Sequence, residues 1–268
     1  MKTYILRLGT MMLDKTNLLS FATRATRSHP ETLHAWIENP IWAALIDTGD
    51  HKIIYDLGCL EGCMDDENGW PLRLRELFPM EFTEDETIEG QLSIIGIKPT
   101  DIDIVVASHL HMDHFGGIFS FGHADVYLPK EDWINALMST HLDDSYEQWF
   151  KRQIEFQVKK YYPVAIGEDF ELVPGVDIVT LPGHAPNLLG LLVHMQKDRN
   201  MLFVSDAVPV PEVIGPPVRL GGTCYDSVAY RASVDKILKL AKIHDAEIMY
   251  SHEMPFFKAL KKIPEYYE

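Results

Sequence analysis

Short apolar runs rich in β-branched residues recur along the chain, and polar segments separate them. Runs of this length, bounded by Gly, Pro, Asn or Asp, are typical of buried β-strands. The pattern predicts eight strands, at Trp42–Ile46, Lys52–Tyr55, Ile102–Ala107, Ala124–Leu128, Val176–Leu181, Leu188–His194, Met201–Val204 and Ile248–Tyr250.

A second pattern, with apolar residues three and four positions apart, lies between these runs and is typical of amphipathic helices. It predicts helices at Thr87–Ile95, Lys130–Met138, Asp144–Tyr161 and Ser227–His244. Strands mixed with helices indicate an α/β protein, with two β-sheets packed face to face and helices outside. Since no repeat or low-complexity linker interrupts the chain, we expect residues 1–268 to form a single domain.

Composition and charge limit the functions to be considered. The 268 residues include 24 Lys and Arg against 40 Asp and Glu, a formal net charge of -16 that would repel a nucleic-acid backbone. No apolar run approaches the ~20 residues of a membrane span. The N-terminus has no signal-peptide pattern, and the three cysteines cannot all pair. We therefore expect a cytoplasmic protein with reduced thiols and with neither nucleic acid nor membrane as a partner.

The strongest chemical signal is the segment His109-Leu-His111-Met-Asp113-His114, directly after the predicted strand at Ile102–Ala107. In an extended segment, residues two apart project to the same side, so His109 and His111 can bind one cation. A turn would then direct Asp113 and His114 towards a second cation.

A closed metal site needs further ligands, and three residues downstream have suitable positions. His184, Asp206 and His252 each follow the end of a predicted strand. Side chains at such positions can reach a shared edge of the sheets while the strands hold their backbones rigidly. The three residues therefore complete a candidate set of seven ligands.

These motifs resemble those of the metallo-β-lactamase superfamily and, within it, the N-acyl-homoserine lactonases that quench bacterial quorum signals. The resemblance spans nearly the whole chain. It rests on Asp56-Leu-Gly58, the His109–His114 cluster, Pro-Gly-His184, Ser-Asp206, Ser-His252-Glu and the ending Pro264-Glu-Tyr266. It implies an αββα sandwich of two packed mixed sheets with helices outside.

The resemblance also implies the role of each ligand. One metal would be held by His109, His111 and His184, the other by Asp113, His114 and His252, and Asp206 would bridge the two. Imidazole and carboxylate ligands favour Zn²⁺ but also admit Mn²⁺, Fe²⁺ or Co²⁺. A hydroxide shared by the metals would then open a lactone ring, with Asp206 and Asp113 as catalytic residues and Asp113 relaying a proton to the leaving oxygen.

One position departs from the lactonase pattern. The lactonases usually have a tyrosine three residues after the bridging aspartate, where this chain has Pro209, which cannot donate a hydrogen bond. Tyr225, from a nearby loop, is a candidate substitute, but we favour the interpretation that it is a packed surface tyrosine. Asp56 is expected either to orient a ligand imidazole or to serve only as a turn residue.

Apolar residues in two regions could line an acyl-chain groove or simply pack in the core. They are Met11, Met12, Leu18, Leu19, Phe21 and Trp36 near the N-terminus, and Trp133, Met138, Trp149 and Phe150 in the helical insert.

The leading hypothesis is a hydrolase that opens a small lactone, namely an N-acyl-homoserine lactone, and four other functions remain open. One of them is hydrolysis of another small lactone. The resemblance also covers thioester hydrolysis of the glyoxalase II kind, whose branch shares the seven ligand positions. A phosphodiesterase acting on RNA is disfavoured by the net charge of -16. A metal-stabilised sensor would bind a lactone without hydrolysing it. The expected partner is a small lactone substrate, and the sequence leaves a homodimer open.

Overall fold

The computed structural model describes residues 1–23, 25–31, 34–67, 69–142 and 149–268. In this part of the chain, twelve strands form two mixed sheets. The first sheet has seven strands in the order β4-β1-β2-β3-β5-β6-β7. Its strands are β1 (Lys2–Asp14), β2 (Trp36–Asp47), β3 (Lys52–Tyr55), β4 (Met80–Glu81), β5 (Ile104–Val106), β6 (Asp125–Pro129) and β7 (Lys160–Val164).

The second sheet has five strands in the order β12-β11-β10-β9-β8. They are β8 (Phe170–Val173), β9 (Val176–Thr180), β10 (Leu189–Val193), β11 (Asn200–Phe203) and β12 (Ala246–Met249). The pairing of β11 with β12 is parallel and the other pairings in this sheet are antiparallel. All eight predicted strands lie within or overlap one of these twelve.

Alternating side chains of the strands form two hydrophobic layers. In β3, Ile53 and Tyr55 belong to one buried cluster with Leu191 and Phe203 of the second sheet, whereas Ile54 belongs to the other cluster with residues that pack under the helices. Successive side chains of a strand point to opposite faces, so each sheet is covered on both sides. The prediction of two packed mixed sheets with helices outside is confirmed.

The described residues form six α-helices, five between strands and one after the last strand. They are α1 (Leu72–Leu77), α2 (Ile88–Ile94), α3 (Lys130–Leu142), α4 (Lys151–Ile154), α5 (Ser227–Ile243) and α6 (Met254–Ala259). The helix predicted at Thr87–Ile95 agrees with α2, where the Thr87 side chain accepts a hydrogen bond from the Gly90 amide. The helix predicted at Ser227–His244 agrees with α5, whose N-cap is Asp226.

The helix predicted at Asp144–Tyr161 is wrong over most of its described length. Residues 144–148 lie outside the described residues, α4 ends at Ile154, and β7 begins at Lys160. Aromatic residues favour the strand, because Tyr162 stacks on Tyr127 of β6 with ring centroids 4.7 Å apart. Pro163 is tolerated because β7 is an edge strand, where a missing amide hydrogen breaks no ladder.

The longest strand, β1, has no counterpart in the prediction. Its pairing with β2 shifts register between Arg7 and Thr10, and Gly9 between them has a φ of +95°. This bulge interrupts the alternation of apolar and polar residues that identifies a strand. In the described part of the chain, no helix is long and apolar enough to cross a membrane.

Candidate metal centre

The seven predicted ligands are all buried and all follow strand ends. The His109–His114 segment comes after β5, His184 after β9, Asp206 after β11 and His252 after β12. Because the strands end rigidly in packed sheets, the short loops that follow them hold these side chains in fixed positions. The structure thus brings together residues separated by more than half of the chain.

Three imidazoles form the first group. The Nδ1 atom of His111 lies 3.0 Å from Nε2 of His109 and 3.2 Å from Nε2 of His184. Tetrahedral zinc with bonds of about 2.05 Å separates its ligand nitrogens by roughly 3.3 Å. The group therefore has the spacing that one cation requires.

Asp113, His114 and His252 form the second group, with ligand atoms close enough to share one cation. The Oδ2 atom of Asp113 lies 3.5 Å from Nε2 of His114 and 3.7 Å from Nε2 of His252. Nε2 of His114 is buried and has no hydrogen-bond partner within the described residues. A buried imidazole nitrogen without a partner is costly, and a bound cation would satisfy it.

Asp206 lies between the two groups. Its Oδ2 atom is 3.3 Å from Nε2 of His184, in the first group. Its Oδ1 atom is 2.9 Å from Nε2 of His252 and 3.4 Å from Nε2 of His114, both in the second group. Each carboxylate oxygen therefore faces a different group, which is the arrangement that a bridging ligand needs. None of the ligand groups found in the described residues contains a cysteine.

Burial and charge shift the pKa values of the histidines in the two groups in opposite directions. Burial, together with the neighbouring imidazoles, holds the pKa values of His109 and His111 well below the usual range. For His114, burial opposes the charge, but the carboxylates of Asp113, Asp206 and Asp56 outweigh it and raise the pKa to about 10. The first group thus offers neutral imidazoles, whereas the second has a strongly negative environment that attracts a cation.

Polar partners outside the two groups fix the orientation of three of the predicted ligand imidazoles. Nδ1 of His114 lies 2.8 Å from the Asp56 carboxylate, Nδ1 of His184 lies 3.2 Å from the Thr223 carbonyl, and Nδ1 of His252 lies 3.2 Å from the Pro40 carbonyl. Carbonyl and carboxylate oxygens only accept, so each Nδ1 donates. In the neutral form of each imidazole the lone pair is then on Nε2, which faces the other predicted ligands.

The structure places Asp56 in both roles that the sequence left open. It has a φ of +61° directly after β3, and its carboxylate also accepts hydrogen bonds from the amide and the hydroxyl of Ser108. The residue therefore shapes the turn and contacts a ligand imidazole at the same time.

The sequence analysis assigned no role to several serines that lie at the site. Ser251 donates to Oδ1 of Asp206 at 2.8 Å, and Ser108 lies within hydrogen-bond distance of Ser205 and of Nδ1 of His109. A signal for them exists, because a serine immediately precedes His109, Asp206 and His252 in the sequence. Residues next to a ligand on a strand end are well placed to support it.

A cavity opens onto the ligands, and the N-terminal segment forms one side of it. Met11, Leu13, Asn17 and Leu18 line it together with ligands from both groups. Several of the residues predicted to line an acyl-chain groove fall into two sets, one near this cavity and one exposed at the surface. Met11 and Leu18 line the cavity and the Trp149 ring lies 5.7 Å from that of His111, whereas Phe21, Trp36 and Met138 are exposed at the surface.

Pro209, at the departing position, and Tyr225, its candidate substitute, differ in burial. Pro209 is buried, and its carbonyl accepts a hydrogen bond from the His252 amide. Tyr225 packs its backbone against Gly183 and His184, but its side chain is 64% exposed.

The family model of the metallo-beta-lactamase superfamily matches residues 36–252. The match covers most of the chain and includes all seven predicted ligands. The chain therefore belongs to this superfamily.

Curated relatives resemble the chain over almost its full length. An N-acyl homoserine lactonase, AiiB, of Agrobacterium fabrum is 29% identical over 97% of this chain and 96% of its own. An N-acyl homoserine lactonase of Bacillus cereus is 27% identical over 99% of this chain and 98% of its own.

Solved structures show the same fold. An N-acyl homoserine lactone hydrolase, with the product N-hexanoyl-L-homoserine bound at its catalytic metal center, aligns with a TM-score of 0.80 and 24% identity, covering 99% of this chain and 98% of that one. AidC, a dizinc quorum-quenching lactonase in complex with its product, aligns with a TM-score of 0.63 and 20% identity, covering 93% and 86%.

Proposed function

We propose that the protein is a metal-dependent hydrolase that opens the ring of a small lactone, namely an N-acyl homoserine lactone. The observation that carries the proposal is the pair of buried ligand groups joined by the Asp206 carboxylate. The similarity to N-acyl homoserine lactonases over nearly the whole chain supports the substrate class.

The donor set fits two divalent ions, which we expect to be zinc. His109, His111 and His184 would hold one ion, Asp113, His114 and His252 the other, and Asp206 both. Neutral imidazoles and carboxylates are ligands that Zn²⁺ accepts readily. Two such ions, when bound, would lower the pKa of a nearby water and polarise the carbonyl of an ester.

The residues of the chain would hold this centre and move one proton. Lactone hydrolysis forms a bond between a water oxygen and the carbonyl carbon and breaks the ring C–O bond. One proton of the water goes to the released ring oxygen, and the other leaves the new carboxylic acid, which becomes a carboxylate. The Asp113 carboxylate, between His114 and His252, is the group to which we assign the transfer to the ring oxygen. Asp56, Ser108 and Ser251 would keep the ligands in the orientation that the reaction requires.

Charge is consistent with a small neutral substrate. The net charge of -16 repels polyanions but has little effect on an uncharged lactone. The cavity beside the ligands also presents Met11, Leu13 and Leu18, apolar side chains that an acyl chain could contact.

The domain boundaries, the location and the assembly are proposals as well. We infer one hydrolase domain over residues 1–268, because β1 pairs with β2 and Thr3 bridges to Tyr267 at the other end of the chain. A location in the cytoplasm is supported by the three free cysteines. The homodimer stays a prediction.

A matched panel of substrates tests the function. The metal-loaded protein would be assayed with N-hexanoyl homoserine lactone, S-lactoylglutathione and a phosphodiester such as bis(p-nitrophenyl) phosphate. We expect the highest kcat/KM for the lactone. A higher kcat/KM for the thioester would identify a glyoxalase II-like enzyme instead, and metal binding with no turnover of any substrate would identify a sensor.

A further inference from the structure

Asn39 is a fully buried residue whose side chain has no polar partner. It lies in β2, and none of its surface is exposed. Neither its Oδ1 nor its Nδ2 atom has a hydrogen-bond partner within the described residues. A buried amide normally satisfies both atoms, so an unsatisfied one calls for a functional explanation.

Asn187 shows how the same protein treats an ordinary buried asparagine. It is also fully buried, but its Nδ2 donates to Glu131 at 3.0 Å and to the Val164 carbonyl at 3.1 Å. Its Oδ1 accepts from the Leu188 amide at 2.9 Å. The lack of partners at Asn39 is therefore not a general property of buried amides in this fold.

The side chain of Asn39 faces the cavity at the metal centre. Asn39 is the cross-strand partner of Met11, and directly paired residues project to the same face of a sheet. Met11 and Leu13, two positions apart on β1, line that cavity, as does Asn39 itself. The cavity also includes His111, Asp113, His184, Asp206 and His252, so the unpaired amide lies beside the reacting centre.

We propose that Asn39 is a specificity-determining residue that recognises the acylamino group of the substrate; this rests on the lactonase function proposed above. An α-acylamino lactone carries an N–H on the ring carbon next to the carbonyl. These two groups are arranged like the N–H and C=O of one residue in an extended chain, so one carboxamide can bind both. Oδ1 of Asn39 accepts from the acylamino N–H, and Nδ2 donates to the ring carbonyl.

This contact also replaces the hydrogen bond to the substrate that is lost because the chain has Pro209 in place of a tyrosine. The Nδ2 donor supplies the polar contact to the substrate carbonyl that Pro209 cannot make. A site built around a buried amide selects strongly against ligands that leave it unpaired. A lactone without the acylamino group satisfies only the donor, so Asn39 favours α-acylamino lactones over plain ones.

Replacing the amide by an apolar side chain of similar size tests the assignment. In Asn39→Leu we expect kcat/KM for N-hexanoyl homoserine lactone to fall roughly 10- to 100-fold. We expect kcat/KM for α-hexyl-γ-butyrolactone, which lacks the amide, to fall by a smaller factor, because this lactone loses only the hydrogen bond from Nδ2 to its carbonyl. The metal content should stay at the wild-type level. Asn39→Ala is the second variant, in case leucine does not fit.

Thermal unfolding provides a readout that does not depend on turnover. Removing an unsatisfied buried amide should raise the Tm of Asn39→Leu in the absence of substrate. The matched control, Asn187→Leu, should lower the Tm, because it leaves the partners of Asn187 unpaired.

Two outcomes would overturn the assignment separately from the proposed function. Equal losses of kcat/KM on both lactones would show that Asn39 does not recognise the acylamino group, and a lower Tm for Asn39→Leu would show that it has a structural role. A wild-type enzyme that opens neither lactone would refute the proposed function, and the assignment with it.

Discussion

Asp56→Asn tests whether residues that form hydrogen bonds to the predicted ligands control metal binding. Asp56 has a φ of +61°, in the left-handed region that asparagine tolerates better than most residues, so the turn should be retained. The carboxylate accepts from the Ser108 amide at 2.8 Å, from the Ser108 hydroxyl at 2.9 Å and from Nδ1 of His114 at 2.8 Å. All three partners donate, and an amide has only one oxygen with which to accept.

The expected magnitude follows from this mismatch. The asparagine oxygen can still accept the hydrogen bond from the Ser108 amide. In that orientation the NH₂ group of the asparagine points towards Nδ1 of His114. That nitrogen must then become an acceptor, and the proton moves to Nε2, where the lone pair is needed for a metal. Loss of such an orienting partner typically lowers metal affinity about 10- to 100-fold, or about 1.4–2.8 kcal/mol.

The assay is a competition titration of metal-free protein with Zn²⁺ against a chromophoric chelator. Asp169→Asn is the control, because Asp169 also accepts from a backbone amide, that of Thr180 at 2.8 Å, and is not among the ligand groups. We expect the control to bind zinc with wild-type affinity. Wild-type affinity in a folded Asp56→Asn protein would refute the reasoning.

Three further predictions concern other contacts of the site. Asp206→Ala should bind fewer than two ions and lose roughly 10²-fold or more in kcat, measured by elemental analysis and lactone hydrolysis, and two bound ions with full activity would contradict the bridging role. Ser251→Ala removes the 2.8 Å hydrogen bond to Oδ1 of Asp206 and should lower zinc affinity about tenfold in the same competition titration; unchanged affinity would show that the hydroxyl is dispensable. Tyr225→Phe should leave kcat nearly unchanged, because the side chain is 64% exposed, whereas a loss of about 10²-fold in the correctly metallated variant would make Tyr225 the missing donor.

Local sequence patterns were sufficient to locate the candidate ligands that follow strands with an unbroken apolar sequence. The β5 strand is an unbroken run of Ile104, Val105 and Val106, all buried, and the ligand cluster follows it directly. His184, Asp206 and His252 could be found in the same way, because each ends an apolar run. A strand buried on both faces needs apolar residues at every position, so its end is visible in the sequence.

Other features depend on tertiary contacts that no local pattern contains. The bulge at Gly9 interrupts the alternating pattern of β1, so the sequence does not predict this strand. The edge strand β7 is stabilised by stacking on Tyr127, and its own sequence pattern does not indicate a strand. The sequence does not identify Asn39 as a site residue either. Its proposed role rests on its position beside the cavity and on the absence of hydrogen-bond partners for its side chain within the described residues. Such features arise where distant segments meet, so only the folded chain shows them.

Anomalous diffraction from crystals of the zinc-loaded protein tests the central claim most directly. The account predicts two zinc peaks per chain, roughly 3.5–4 Å apart, with one oxygen of Asp206 on each. His109, His111 and His184 should surround one peak, and Asp113, His114 and His252 the other. A single peak, or two peaks that Asp206 does not bridge, would contradict it.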